Sequence, residues 1–129
     1  MEVHFQKIIK NKKLIKPTTI KTTGILEKYY KVLLWMLPKL EKFPKSQKYL
    51  LTDKIETIML DILGLLIEAV YTKDKKEILK KINLELEKTR YYVRIAKDMK
   101  YMNIKSYAYF SKLLVEIGKM TGGWIKSVN

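Results

Sequence analysis

A chain of 129 residues fits one domain, able to bury about two-thirds of its unfolded surface, so a second domain is not expected. Apolar residues make up 47% and charged residues 31%, which argues against global disorder, while 27 Lys plus Arg against 13 Asp plus Glu give a net charge of +14 that draws polyanions. The absence of cysteine removes disulfide scaffolds, thiolate zinc sites and cysteine nucleophiles, and fits a cytoplasmic protein.

Residues 1–22 carry six lysines and one acid, two short apolar clusters (Phe5, Ile8, Ile9 and Leu14, Ile15) and a break at Pro17-Thr18-Thr19. They read as a basic N-terminal arm, open to disorder, to pairing as a short strand, or to docking on the domain that follows. Met1 is followed by Glu2 and His4 rather than by the apolar run of a signal peptide, so secretion is not expected.

The domain itself is expected over residues 23–129. From Gly24 onward Leu26, Tyr29, Leu33, Met36 and Leu40 recur at steps of three and four, the period of a helix face. Thr23 is the expected N-cap, Pro38 should kink or end the last turn, and Phe43-Pro44 marks the connection. Ser46 is then expected to cap a second helix with Leu51, Ile55, Ile58, Ile62, Leu65 and Ala69 as its seam. Met59, Leu63, Leu66, Ile67 and Val70 widen that seam, and no Lys or Arg occurs between Ile55 and Thr72, so this helix should be buried on more than one side or form an oligomer contact. Glu56, Asp61 and Glu68 interrupt the stretch, which argues against membrane spanning.

Asp74 with Glu77 reads as a capping box for a third helix, whose inward residues are Leu79, Ile82, Leu86, Thr89, Val93 and Ala96. Asn103 caps a fourth, with Ile104, Tyr107, Ser111, Leu114, Gly118, Thr121 and Ile125 expected inward, the small members admitting close approach of a neighbour. Gly118, Gly122 and Gly123 read as packing positions and a C-terminal cap. Short connections between four such helices give an all-α fold, an antiparallel up-down-up-down four-helix bundle preceded by the basic arm.

Catalytic chemistry is not expected. His4 is the only histidine and lies in the arm, the Glu-x-x-His spacing of di-iron bundles is absent, and neither a phosphate-binding glycine loop nor a dinucleotide fingerprint is present, so no metal or cofactor site is expected. The positive charge is concentrated outside the second helix. Arg90 and Arg94, the only arginines, stand one turn apart beside Tyr91 and Tyr92. Guanidinium groups next to aromatic rings suit phosphate contacts and base stacking, and the same arginines could equally pair with Glu85, Glu87 or a neighbouring subunit. Lys80, Lys81, Lys97 and Lys100 extend this candidate nucleic-acid or partner surface along the third helix, and Lys12 and Lys13 extend it into the arm.

The segment Thr89-Arg90-Tyr91-Tyr92-Val93-Arg94-Ile95-Ala96, together with Ile117-Gly118-Lys119-Met120-Thr121-Gly122-Gly123-Trp124-Ile125, resembles the accessory variability determinant (Avd) proteins of diversity-generating retroelements. These belong to a wider four-helix-bundle group that includes proteins of ribosomal RNA intervening sequences. The resemblance runs from about Leu26 to Val128 and takes in Tyr29-Tyr30, Leu37-Pro38 and Phe43-Pro44, whereas the basic arm has no counterpart. It implies a homopentamer of four-helix protomers that binds a reverse transcriptase and RNA, with DNA as a further possible ligand, and supports mutagenic copying of a template repeat. Arg90 and Arg94 would contribute to partner binding. The alternative is a structural or protein-interaction module of the intervening-sequence type. Membrane association is the weaker reading, because the apolar faces are committed to a core.

Overall fold

The structure, a computed structural model, describes residues 20–128, so the basic arm with His4, Lys12 and Lys13 lies outside the described residues up to position 19. Four α-helices make up the domain: α1 (Ile20–Leu40), α2 (Asp53–Tyr71), α3 (Lys76–Asp98) and α4 (Ile104–Ser127). Each packs on its neighbours in the chain, and α1 also packs on α4, which closes the bundle. Cross-contacts fix the direction of the helices. Lys28 meets Glu116 and Trp35 meets Tyr109, so α1 and α4 are antiparallel; Lys75 meets Trp124 and Lys97 meets Tyr107, so α3 and α4 are too. The expected up-down-up-down bundle is the observed one.

The third helix buries Leu79, Ile82, Leu86, Thr89, Val93 and Ala96, the six residues its period selects. In α1 the core takes Ile25, Tyr29, Val32, Leu33, Met36 and Leu40, with Leu26 at its flank. Tyr29 is fully buried and its hydroxyl donates to the Met59 carbonyl at 2.6 Å, tying α1 to α2; burial pushes the phenol far above its usual pKa. Met59, Leu66 and Val70 join Ile55, Ile58, Ile62 and Ala69 in the core, so α2 is buried over a broad arc.

The fourth helix is turned relative to the expected register. Its buried residues are Phe110, Leu114, Ile117, Thr121 and Trp124, which share only Leu114 and Thr121 with the expected line, and Ile104 is 75% exposed. The helix carries two apolar lines side by side, and the one with the larger rings takes the centre: Phe110 stacks on Trp35 with centroids 6.1 Å apart. Tyr107, Ser111, Gly118 and Ile125 flank it, half-buried. A Cβ added at Gly118, Gly122 or Gly123 would meet nothing within 4 Å, and α4 runs on to Ser127 with no glycine at positive φ. Those glycines are therefore neither close-packing positions nor a C-terminal cap.

Helix starts differ from the capping expectations in three places. α1 begins at Ile20, so Thr23 lies inside it rather than at its cap, and Pro38 is accommodated two residues before its end. Ser46 lies in a 3-10 turn (Lys45–Gln47) that leads through a π-helical turn (Lys48–Thr52) into α2, whose cap residue Thr52 makes no side-chain cap bond. The Asp74–Glu77 box is not formed, because the cap position of α3 is Lys75. The Lys75 ammonium instead donates to the Ala69 and Thr72 carbonyls, both at 3.0 Å, and closes the C-terminus of α2, where a cation opposes the negative end of the helix dipole. The Asn103 cap is present: its Oδ1 accepts from the Ser106 N–H at 2.8 Å.

Candidate nucleic-acid interface

Residues spaced by 100° along α3 divide into a core face and an outer face. Arg90 and Arg94 stand on the outer face near α4. Arg90 Nη1 lies 3.0 Å from Glu87 and Arg94 Nε lies 3.9 Å from Asp98, so both sit beside acids of their own helix. Glu85 is engaged by Lys88 at 3.1 Å instead. All four arginine-pair side chains are about half exposed, and pairs of that kind contribute only ~0–1 kcal/mol because water screens them and two mobile side chains must be held. A phosphate reaching this surface therefore competes with weak partners.

Lys97 bridges the two helices. Its ammonium lies 2.9 Å from Asp98 and 5.0 Å above the ring of Tyr107 on α4, a cation–π contact that fixes the height of one helix against the other. Between them, Glu87, Arg90, Tyr91, Arg94 and Tyr107 line a cleft of about 130 Å³. Tyr91 is 58% exposed, so its ring is available as a stacking surface. A shallower depression of about 950 Å³ continues over the α3–α4 turn, with Lys97, Lys100, Lys105, Tyr101 and Ile104 among its walls.

Lys100 occupies the turn in a left-handed conformation, φ 65°. Its N–H donates to the Lys97 carbonyl at 3.0 Å and the next N–H, of Tyr101, donates to Ala96 at 2.8 Å, the paired bonds of a Schellman motif in which glycine is the usual residue. A lysine there costs ~1–2 kcal/mol in backbone strain and puts a cation at the lip of the depression.

The structure thus brings Arg90, Arg94, Lys97 and Lys100 into one strip. Lys80 lies on the same side of α3 as Arg94 but about 20 Å away along the axis, with Glu77 at 3.7 Å. Lys81, nine residues before Arg90, falls on the opposite flank and does not join the strip. Lys105 on α4 was not among the sequence-expected residues, nor were Lys112, Lys119 and Lys126 of the same helix; all four are exposed. Apolar periodicity does not reveal them. The signal for them is their own spacing of seven.

Among the described residues no group of three His, Cys, Asp or Glu could hold a metal ion, and no helix is long and apolar enough to cross a membrane. The sequence profile of the bAvd-like family matches residues 24–128, which takes in all four helices and the whole strip. A comparison with curated proteins found no match.

Proposed function

The chain belongs to the bAvd-like family, and from that membership we propose that it is a non-catalytic accessory protein of a diversity-generating retroelement, binding the element's reverse transcriptase and its template RNA through a basic surface and so supporting mutagenic retrohoming. The family match over residues 24–128 carries this reading. The strip on α3 and the α3–α4 turn gives it a physical basis, since guanidinium groups held by weak surface pairs exchange readily for phosphate oxygens. A cytoplasmic setting follows from the same role.

The assembly implied by the family is a ring of five protomers. Leu34 on α1 and Leu60 on α2 are 51% and 46% exposed, and α2 carries acids without any Lys or Arg between Ile55 and Thr72, so its outer side suits contact with a basic helix of a second copy. Light scattering is expected to return a mass near five times the 15.3 kDa chain.

The direct test is co-purification with the reverse transcriptase of a diversity-generating retroelement, expressed together with the chain. The wild-type chain should hold the transcriptase and template RNA at low salt, and replacement of Arg90 and Arg94 by Ala should weaken retention at least tenfold. Retention unchanged by the double replacement would overturn the role given to the strip.

A further inference from the structure

Lys105, Lys112, Lys119 and Lys126 recur every seven residues along α4. Seven residues are nearly two helical turns, so the four side chains form a row that rises ~10.5 Å per step, covers ~31 Å and drifts only ~20° per step. The row runs along the side of α4 opposite the buried line Phe110, Leu114, Ile117, Thr121 and Trp124. None of the four makes an ion pair with another described residue. The one acid of α4, Glu116, is already held by Lys28 at 2.8 Å. Its carboxyl pKa is lowered by that bond and by the fields of Lys28, Lys112 and Lys119.

A second line lies on the flank of α3 that faces α4, beside the outward row. Lys76, Asn83, Arg90 and Lys97 are also seven apart. The contacts of Lys75 with Trp124 and of Lys97 with Tyr107 set the antiparallel register. In that register Lys97 stands level with Lys105, Arg90 with Lys112, and Lys76 with Lys126. Asn83 leaves the level of Lys119 without a second cation, and two exposed rings stand toward the α3–α4 end on opposite flanks of α4: Tyr91 on α3, and Tyr109, 49% exposed, one turn from Lys105 and Lys112 and packed on Trp35 of α1 with centroids 5.0 Å apart.

We infer that a single strand of RNA lies along α4, its backbone on the Lys105–Lys126 row and its bases stacking on Tyr109 near the α3–α4 turn. This rests on the nucleic-acid reading proposed above and names the strand type and the track. Between the lysines the outward positions are Ala108, Val115, Gly122 and Gly123, too small to supply the bulky anchors that dominate protein–protein contacts, where lysine is depleted. A duplex is stiff and presents its phosphates on a curved surface that a straight row meets only locally, and it hides the base faces that Tyr109 would stack upon. A flexible strand follows a straight track, and ~31 Å accommodates about nine stacked nucleotides at ~3.4 Å each.

The experiment is fluorescence anisotropy of the full chain with a labelled ten-nucleotide oligouridylate, across a salt series. K112Q/K119Q is compared with K54Q/K88Q, which removes the same charge from the side facing α2, where Lys54 lies over Tyr92. Two lost phosphate contacts should weaken binding about tenfold at ~0.15 M salt and reduce the salt slope by ~1.4. The control pair should change affinity less than ~2-fold with an unaltered slope. K105Q/K126Q, at the two ends of the row, provides a second variant, and circular dichroism confirms that each folds. Equal losses in the row and control variants would overturn the track in favour of a diffuse field. So would tighter binding of a ten-base-pair duplex than of the single strand, or loss of transcriptase retention with RNA binding intact, which would make the row a protein contact. A wild-type chain that binds no RNA at all would instead defeat the RNA half of the proposed function.

Discussion

At Lys100 the backbone turns left-handed where glycine would sit without strain, and the side chain that incurs this cost stands beside Lys97 and Lys105 at the mouth of the depression. Lys100→Gly should raise stability by up to ~1 kcal/mol in urea denaturation while weakening RNA binding. A loss of stability would show that the turn is held by lysine contacts rather than strained by them. Glu116 makes a second point about single side chains. Its pKa is lowered by the hydrogen bond from Lys28, so the folded state binds that proton less readily than the unfolded chain does. The stability it contributes is complete above the usual carboxylate value of 4.5 and fades as pH falls below it through the lowered pKa. Denaturation midpoints measured down through that window should fall more steeply for the wild type than for Glu116→Gln. Parallel curves would mean that the ion pair contributes nothing to folding.

The helices show which local rules dominate. In α3 the line from Leu79 to Ala96 runs unbroken at steps of three and four, while Leu84, Tyr91 and Ile95 stand exposed among charges, so its six inward residues are readable from spacing. α4 has two, and spacing cannot choose between the line with Tyr107 and Gly118 and the line with Phe110 and Trp124. The choice is made by Trp35 on another helix, which stacks on Phe110. Capping was legible only where the chain enters a helix from an extended residue, as at Asn103 with ψ 160°. At Thr52 and Lys75 the chain arrives already in a right-handed helical conformation, so a side chain two or more residues upstream cannot reach the first free N–H groups. Asn103→Ala should therefore cost ~1 kcal/mol in chemical denaturation, whereas Ser46→Ala should stay within ~0.5 kcal/mol. A large loss at Ser46 would return a capping role to it.

For the protein as a unit, the decisive division is between what the core uses and what it leaves outside. Tyr29, Phe110, the aliphatic residues of four helices and two internally bonded threonines fill the interior, and among the described residues no charged side chain is buried. The arginines of the candidate strip were legible in the sequence because they stand alone in a lysine-rich chain beside tyrosines. Their pairing with Glu87 and Asp98 was only half legible, since Asp98 becomes a partner through the way α3 ends. The lysine row on α4 needed the helix to be oriented first, because only then do residues seven apart become one outer edge.

Recognition by this outer charge has one direct measure, the dependence of affinity for unstructured RNA on salt. If four lysines on α4 engage phosphates, log Kobs should fall against log salt with a slope near −3, and near −6 if Arg90, Arg94, Lys97 and Lys100 engage as well, at about −0.7 per contact. Affinity that stays level as salt rises would contradict a cationic surface as the binding element.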